Sequence, residues 1–263
     1  MSRRWLVENH QLKTFEPSAS LGSDYARVLR LVSKRLGSLL RRYFDEKGNL
    51  FDVDGFVAAC KKYSVELEPW AVETATKFVN RVERQNGSIW RQAAKASLGA
   101  AEAAGTLGVL YSVHQGSLVH HAVMDLVQEQ AALIKSLTET AAQRVQEIAV
   151  EAAISGDRSP VVYKKIMDTE QVTTSRAALI ARTELAKANA VITRARADAA
   201  GVTHYIWRTA GDERVRDTHL SMEGVVCEFA RPPAVEGEGN HHAGEYPNCR
   251  CYAEPIFTEI VGT

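Results

Sequence analysis

The sequence predicts a mainly α fold with a small α+β C-terminal module: a long-helix body followed by short antiparallel strands and an irregular loop. Three observations predict it. Up to Ala200, apolar residues recur mostly at i, i+3 and i+4, the spacing that lines one face of a helix. After Gly201 the pattern changes to runs rich in β-branched and aromatic residues, which favour strands. The stretch 231–248 is so rich in Pro, Gly and Asn that most of it is barred from regular structure.

Residues 1–22 lack sustained periodicity, contain Pro17 and several serines, and read as an N-terminal arm. Ser23 or Asp24 suits the N-cap of a helix running to about Phe44, with Val28, Leu31, Val32, Leu36, Leu39 and Leu40 on its apolar side. Arg27, Arg30, Lys34, Arg35, Arg41 and Arg42 make this helix strongly basic. A solvated face accounts for them; contact with DNA or with an acidic partner surface is the alternative. Lys47-Gly48-Asn49 marks a turn, after which Asp52 or Asp54 caps a short helix through Lys62. Pro69 suits the first turn of another helix, 68–84, with Trp70, Val72, Phe78 and Val79 as core candidates. Asn86-Gly87-Ser88 is expected to interrupt it before an Ala-rich helix from Ile89, and Gly105, Gly108 and Gly116 punctuate the middle of the chain.

The longest helical run spans 117–154, with Gly156 as its C-cap. Pro160 begins a short helix to Met167, and Thr173 or Thr174 caps a further one to Ala200, stopped by Gly201. Three strands are expected, at 202–209, 225–229 and 250–254. The chain thus divides into an arm (1–22), a helical body (23–170) and a C-terminal module (171–263).

Composition is that of an ordinary globular chain of 263 residues, long enough for a substantial core. Lys plus Arg equals Asp plus Glu, 32 each, so the chain as a whole has no polyanion-binding signature and charge must be read locally. The opening Met1-Ser2-Arg3-Arg4-Trp5 leads into polar residues instead of the apolar run of an export signal. The most apolar stretch, 93–113, is built from Ala and Gly and interrupted by Lys95 and Glu102. It reads as closely packed helices, not a stable membrane span. Four cysteines, Cys60, Cys227, Cys249 and Cys251, are too few for a disulfide scaffold, and three of them cluster near the C-terminal end.

The chemistry concentrates there. Ala181-Arg182-Thr183-Glu184 lies on the last long helix, where Arg182 and Glu184, two apart, face different ways and cannot easily pair. The stretch from Trp207 through Asp212, Arg214, Arg216 and Asp217 to His219 is dense in charge and suits an ion-pair network. Gly224 precedes the Cys227 strand, and Asn248-Cys249-Arg250-Cys251 comes directly after Pro247.

This ordered set resembles the phage head morphogenesis (Mu F-like minor capsid) family: an Arg-Thr-Glu helix, a tryptophan strand, an Asp-x-Arg turn with a downstream histidine, and a closing Asn-Cys-Arg-Cys. Here these are Arg182-Thr183-Glu184, Trp207, Asp212-Glu213-Arg214 with Arg216 and His219, and Asn248-Cys249-Arg250-Cys251. The resemblance covers the last third of the chain and, more weakly, the helix ending at Gly156; the first hundred residues carry no matching motif. It implies a minor capsid protein of a tailed phage, assembled in the host cytoplasm and held in the virion. There it would sit inside the capsid near the portal vertex, in contact with the portal or the major capsid protein. Packaged DNA is a further candidate partner.

Three readings of the cassette remain open, one of them a disulfide from Cys227 to Cys249 or Cys251 formed only after release into an oxidising medium. His219, Cys227, Cys249 and Cys251 form a Cys3His set suited to zinc, although Arg216 stands where some family members have cysteine and Cys-x-Cys is a less usual ligand spacing. Alternatively Arg182, Glu184, Asp212, Arg216 and Arg250 form an ion-pair staple around buried cysteines, with His241 and His242 exposed in the Gly-rich loop. No catalytic residue is assigned. A Cys249-His219-Asp212 triad or a Glu184-Asp212 carboxylate pair would be needed for an enzyme, and neither comes with an evident oxyanion hole or substrate pocket.

Overall fold

The computed structural model describes residues 14–47, 50–98 and 115–257. The Gly48-Asn49 turn, the glycines Gly105 and Gly108 and most of the small-residue stretch lie outside the described residues. Four long helices form the body: α1 (Ala19–Tyr43), α2 (Val53–Leu98), α3 (Leu118–Ser155) and α4 (Ser159–Ala200). They are followed by β1 (His204–Thr209), a single-turn α5 (Asp217–Leu220), β2 (Val226–Glu228), β3 (Ala234–Val235), β4 (Gly239–Asn240) and β5 (Cys251–Pro255).

The expected helix starts and stops need correction where tertiary contacts override local signals. α1 begins at Ala19, with Ser18 in extended backbone ahead of it, and not at Ser23 or Asp24. Leu21 and Gly22 are already buried, Gly22 against Leu185, so packing draws the helix into the expected arm. Phe15 is buried too, edge-on to Trp90, and its carbonyl accepts from the Asn189 amide at 2.9 Å. The last part of the arm is therefore strapped to the body.

Asp52 does cap α2, its carboxylate accepting from Gly55 N–H at 2.8 Å, but the helix then runs 46 residues without a break. Pro69 lies inside it, where it removes one backbone bond and crowds the preceding turn. Leu67, Ala71, Ala75 and Phe78 are buried on either side, and that packing holds the helix together. Of the expected core residues here, Phe78 and Val79 are buried, Trp70 is half-buried and Val72 is exposed. The Asn86-Gly87 signal marks a helix crossing instead of a turn. Asn86 donates to Asn189 Oδ1 (3.0 Å) and Thr193 Oγ1 (2.7 Å) and accepts from Arg196 Nε (3.0 Å). A Cβ on Gly87 would lie 2.7 Å from the Arg196 guanidinium, so a side chain here would have to push that buried group aside.

α3 has the expected C-cap, Gly156 in a left-handed conformation with φ 69°, and at its start the Ser117 hydroxyl accepts from His120 N–H. α4 is one helix where two were expected. Thr173 and Thr174 turn their hydroxyls back onto the carbonyls of Thr169 and Glu170, satisfying themselves within the helix instead of capping a new one. The helix also passes unbroken through the expected boundary at residue 170.

α1 packs chiefly on α4, α2 on α3, and α3 on α4, burying a core that includes Leu29, Leu36, Phe56, Ile134, Leu137, Ile166 and Ile192. The three expected strands form a sheet of order β2-β1-β5, antiparallel throughout, with Tyr205 opposite Cys227 and Trp207 opposite Ala253. β3 and β4 make a separate two-stranded ladder in the loop. A second core joins this sheet to the ends of α2 and α4, through Ile89, Trp90, Ala94, Ala197, Tyr205, Trp207 and Tyr252. Among the described residues no helix is long and apolar enough to cross a membrane.

Candidate functional site

β1 is central, so its alternate residues Tyr205 and Trp207 are completely buried. Trp207 forms the floor of a cluster of ring and sulfur side chains. α5 brings His219 edge-on to Trp207, with ring centroids 5.6 Å apart. Asn248, in the left-handed region at φ 58°, then turns the chain into β5. Two residues apart in extended chain, Cys249 and Cys251 face the same way, while Arg250 points to the other side and pairs with Asp212. The two sulfurs converge on one atom: His219 Nδ1 lies 3.4 Å from Cys249 Sγ and 3.3 Å from Cys251 Sγ.

The other ring nitrogen of His219 meets Glu238 Oε2 at 3.1 Å, and Glu238 also accepts from the Thr218 hydroxyl at 2.6 Å. His241 stacks obliquely on Tyr246 and sits beside His219. Two sets of donor atoms can converge on a metal. His219, Cys249 and Cys251 have ligand atoms within 4.8 Å of one another, as do His219, Glu238 and His241.

The electrostatics couple these groups. The Cys249 thiol is lowered to about 4, first by the hydrogen bond from Cys251 and then by His219. Cys251 is pushed up by that same bond and by burial. His219 is raised by its hydrogen bond to Cys249, against burial, with Glu238 adding to the effect. Burial opposes ionisation of Glu238, but its bonds from Thr218 and His219 outweigh that and hold it below the usual carboxylate range. The thiol, imidazole and carboxylate thus form one continuous chain of contacts, sealed from solvent at His219 (0% exposed).

The structure brings together three of the four residues singled out as ligands. Cys227, opposite Tyr205, lies apart from the cluster; its thiol contacts the Val225 carbonyl, and burial raises it. The proposed staple divides into separate contacts. Asp212 pairs with Arg250 and with Arg214. Arg216 donates to the Pro247 carbonyl at 2.9 Å and lies over the Tyr246 ring. Glu184 is buried in the helical body, accepting from Gln130, which in turn accepts from Tyr25. Arg182 is exposed, and among the described residues it makes no ion pair.

His241 and His242, expected to be exposed, are buried. The short ladder between β3 and β4 folds their loop back over the sheet, where His242 meets the Tyr205 hydroxyl at 3.1 Å. Sequence reading missed Glu238, which sits in a Gly-rich loop without periodicity. Glu238 had no signal in the sequence. Arg208, which belongs to the charge-dense stretch 207–219, pairs outside that stretch, with Glu254 and Glu223 across the exposed side of the sheet.

The family model described as "Phage Mu protein F like protein" matches residues 143–254. That span runs from within α3 to the end of β5, and it contains the whole cluster. The chain is also 36% identical over 125 residues to an uncharacterized protein of Haemophilus influenzae (strain ATCC 51907 / DSM 11121 / KW20 / Rd). The match covers 48% of this chain and 27% of that relative, so the chain spans only about a quarter of the relative's length. No solved structure matches. Over residues 143–254, the chain is thus similar to the phage Mu protein F like family.

Proposed function

We propose that this chain is a head morphogenesis protein of a tailed phage, a minor capsid component held inside the head near the portal vertex. The match to the Mu F-like family over residues 143–254 carries this reading. The portal or the major capsid protein is its partner, and the sheet with its His/Cys cluster is a rigid docking module carried on α4. In this reading the protein works by assembly and not by catalysis. Asp212, which a Cys249-His219 pair would need as its third member, is engaged by Arg250 on the far side of the Cys-x-Cys segment, and Glu184 belongs to the helical core.

The test is complementation of heads produced without the chain. Full-length protein is expected in purified heads, whereas a chain ending at Gly201, which keeps all four long helices, should be absent from them, with helical circular dichroism checking that it still folds. A truncation at Arg182 would be uninformative, because it removes Leu185, Ala188 and Ile192 from the body's core. Normal packaging of the chain ending at Gly201 would sink the docking role.

A second reading, duplex DNA binding by α1, is favoured by one observation. All six cations, Arg27, Arg30, Lys34, Arg35, Arg41 and Arg42, are exposed, and among the described residues only Arg27 and Arg41 pair with acids, Asp24 and Glu170. The isolated protein should then shift duplex DNA in a salt-dependent way, and charge reversal at Arg30, Lys34, Arg35 and Arg42 should abolish the shift. No shift at low salt removes this reading.

A further inference from the structure

We propose that Cys249 Sγ, Cys251 Sγ and His219 Nδ1 bind a single zinc ion, with Glu238 as the group that orients the imidazole. The inference stands on geometry and does not depend on the head-assembly reading. It replaces Cys227 in the set expected from sequence with a carboxylate that touches the ligand histidine instead of the metal.

The distances fit. Tetrahedral zinc, with Zn–S of about 2.3 Å and Zn–N of about 2.0–2.1 Å, holds its nitrogen and sulfur ligands about 3.5 Å apart. The two observed N···S separations are 3.4 and 3.3 Å. The surroundings are those a metal-bound pair of thiolates requires. Cys251 N–H donates to Cys249 Sγ at 3.3 Å. The Trp207 indole N–H is buried without a well-formed hydrogen bond, and the Cys251 sulfur is its neighbour. Glu238 accepts from the His219 nitrogen that faces away from the sulfurs, completing the carboxylate–histidine–metal arrangement that fixes tautomer and ring orientation.

Charge decides between this and a cysteine nucleophile. Two thiolates, a neutral imidazole and Zn²⁺ sum to zero, which is what a closed site tolerates; each thiol gives up its proton as its sulfur binds the ion. A nucleophile–base pair would use one sulfur and leave it open to substrate. Here both sulfurs approach the same nitrogen, and Cys249, Cys251 and His219 are 6%, 2% and 0% exposed. Cys227 lies elsewhere and Arg216 is engaged by Pro247 and Tyr246. Among the described residues no fourth protein ligand joins this set, which leaves the position to a non-protein ligand, water by default.

The experiment is titration of the reduced, metal-stripped full-length chain with Co²⁺. The intense visible absorption and the sulfur-to-metal charge-transfer band of a tetrahedral thiolate site should appear and saturate at about one equivalent. Zinc should then displace the cobalt. Cys249→Ser and Cys251→Ser should each remove the charge-transfer intensity or halve it, Cys227→Ser should leave it intact, and Glu238→Gln should weaken binding by about 10–100-fold. Helical circular dichroism reports whether each variant folds, and the wild-type titration stands without them. Only the weak spectrum of six-coordinate cobalt in the wild type overturns the proposal. So does loss of the site in folded Cys227→Ser protein, and unchanged affinity in Glu238→Gln overturns the role given to Glu238.

Discussion

Glu184 shows how the same residue type takes a different role inside and outside the helical body. Burial raises its pKa above the ordinary 4.5, against the hydrogen bond from Gln130. Between the unfolded value and the raised folded value the native state holds the extra proton, so stability falls as pH rises through that window. Glu184→Gln should remove this slope, leaving the protein nearly unchanged at pH 5 and raising its melting temperature at pH 8. Parallel pH–stability curves for the two proteins would show that the burial is not felt. Asn86 is the opposite case, a neutral residue satisfied on every side. Asn86→Leu would orphan the Arg196 guanidinium Nε and the Asn189 carbonyl together, at a cost of about 3 kcal/mol. Urea unfolding checks this, and a loss below about 1 kcal/mol would mean that the crossing tolerates water.

At the scale of elements, the long helices are longer than their local signals. Pro69, Asn86-Gly87 and Thr173-Thr174 each look like a boundary in sequence, and each lies within a continuous helix. The reason differs every time: packing overrides a proline, a polar crossing takes up Asn86 and Gly87, and two hydroxyls bond back into their own helix. Interior proline costs a helix about 3 kcal/mol. Pro69→Ala is accordingly expected to raise the melting temperature of the chain. A fall would show that the backbone shape at Pro69 is needed to seat Leu67 and Ala71 in the core. The strands behaved otherwise. Their positions were readable to within two residues, because β1, β2 and β5 carry their own β-branched and aromatic residues between glycine-rich connections.

Across the whole molecule the two cores share two helices. α2, about 69 Å long at 1.5 Å per residue, supplies Phe56 to Val82 to the body and Ile89 to Ala94 to the core under the sheet. α4 does the same with Ile192 and Ala197. Neither core can lose its helices without exposing the other. Helical circular dichroism and the fluorescence of the buried Trp90 and Trp207 should therefore follow one thermal transition. An earlier loss of fluorescence would show that the C-terminal module melts by itself.

The sequence by itself determined the mainly α class, the C-caps at Gly156 and Gly201, the three strands, and the ordered cassette from Arg182 to Cys251 that resembles a phage family. Helical period, capping chemistry and motif order are local, so they survive in one dimension. Which residues meet was decided only by the tertiary structure. Cys227 faces Tyr205, while Glu238 and the histidines of a loop with no periodicity close over His219. Asp212 holds Arg250 outside the cluster, and Arg182 is left in solvent. Those outcomes depend on sheet register, on a single turn at Asn248 and on how a Gly-rich loop folds back, and none of these leaves a periodic trace in the chain.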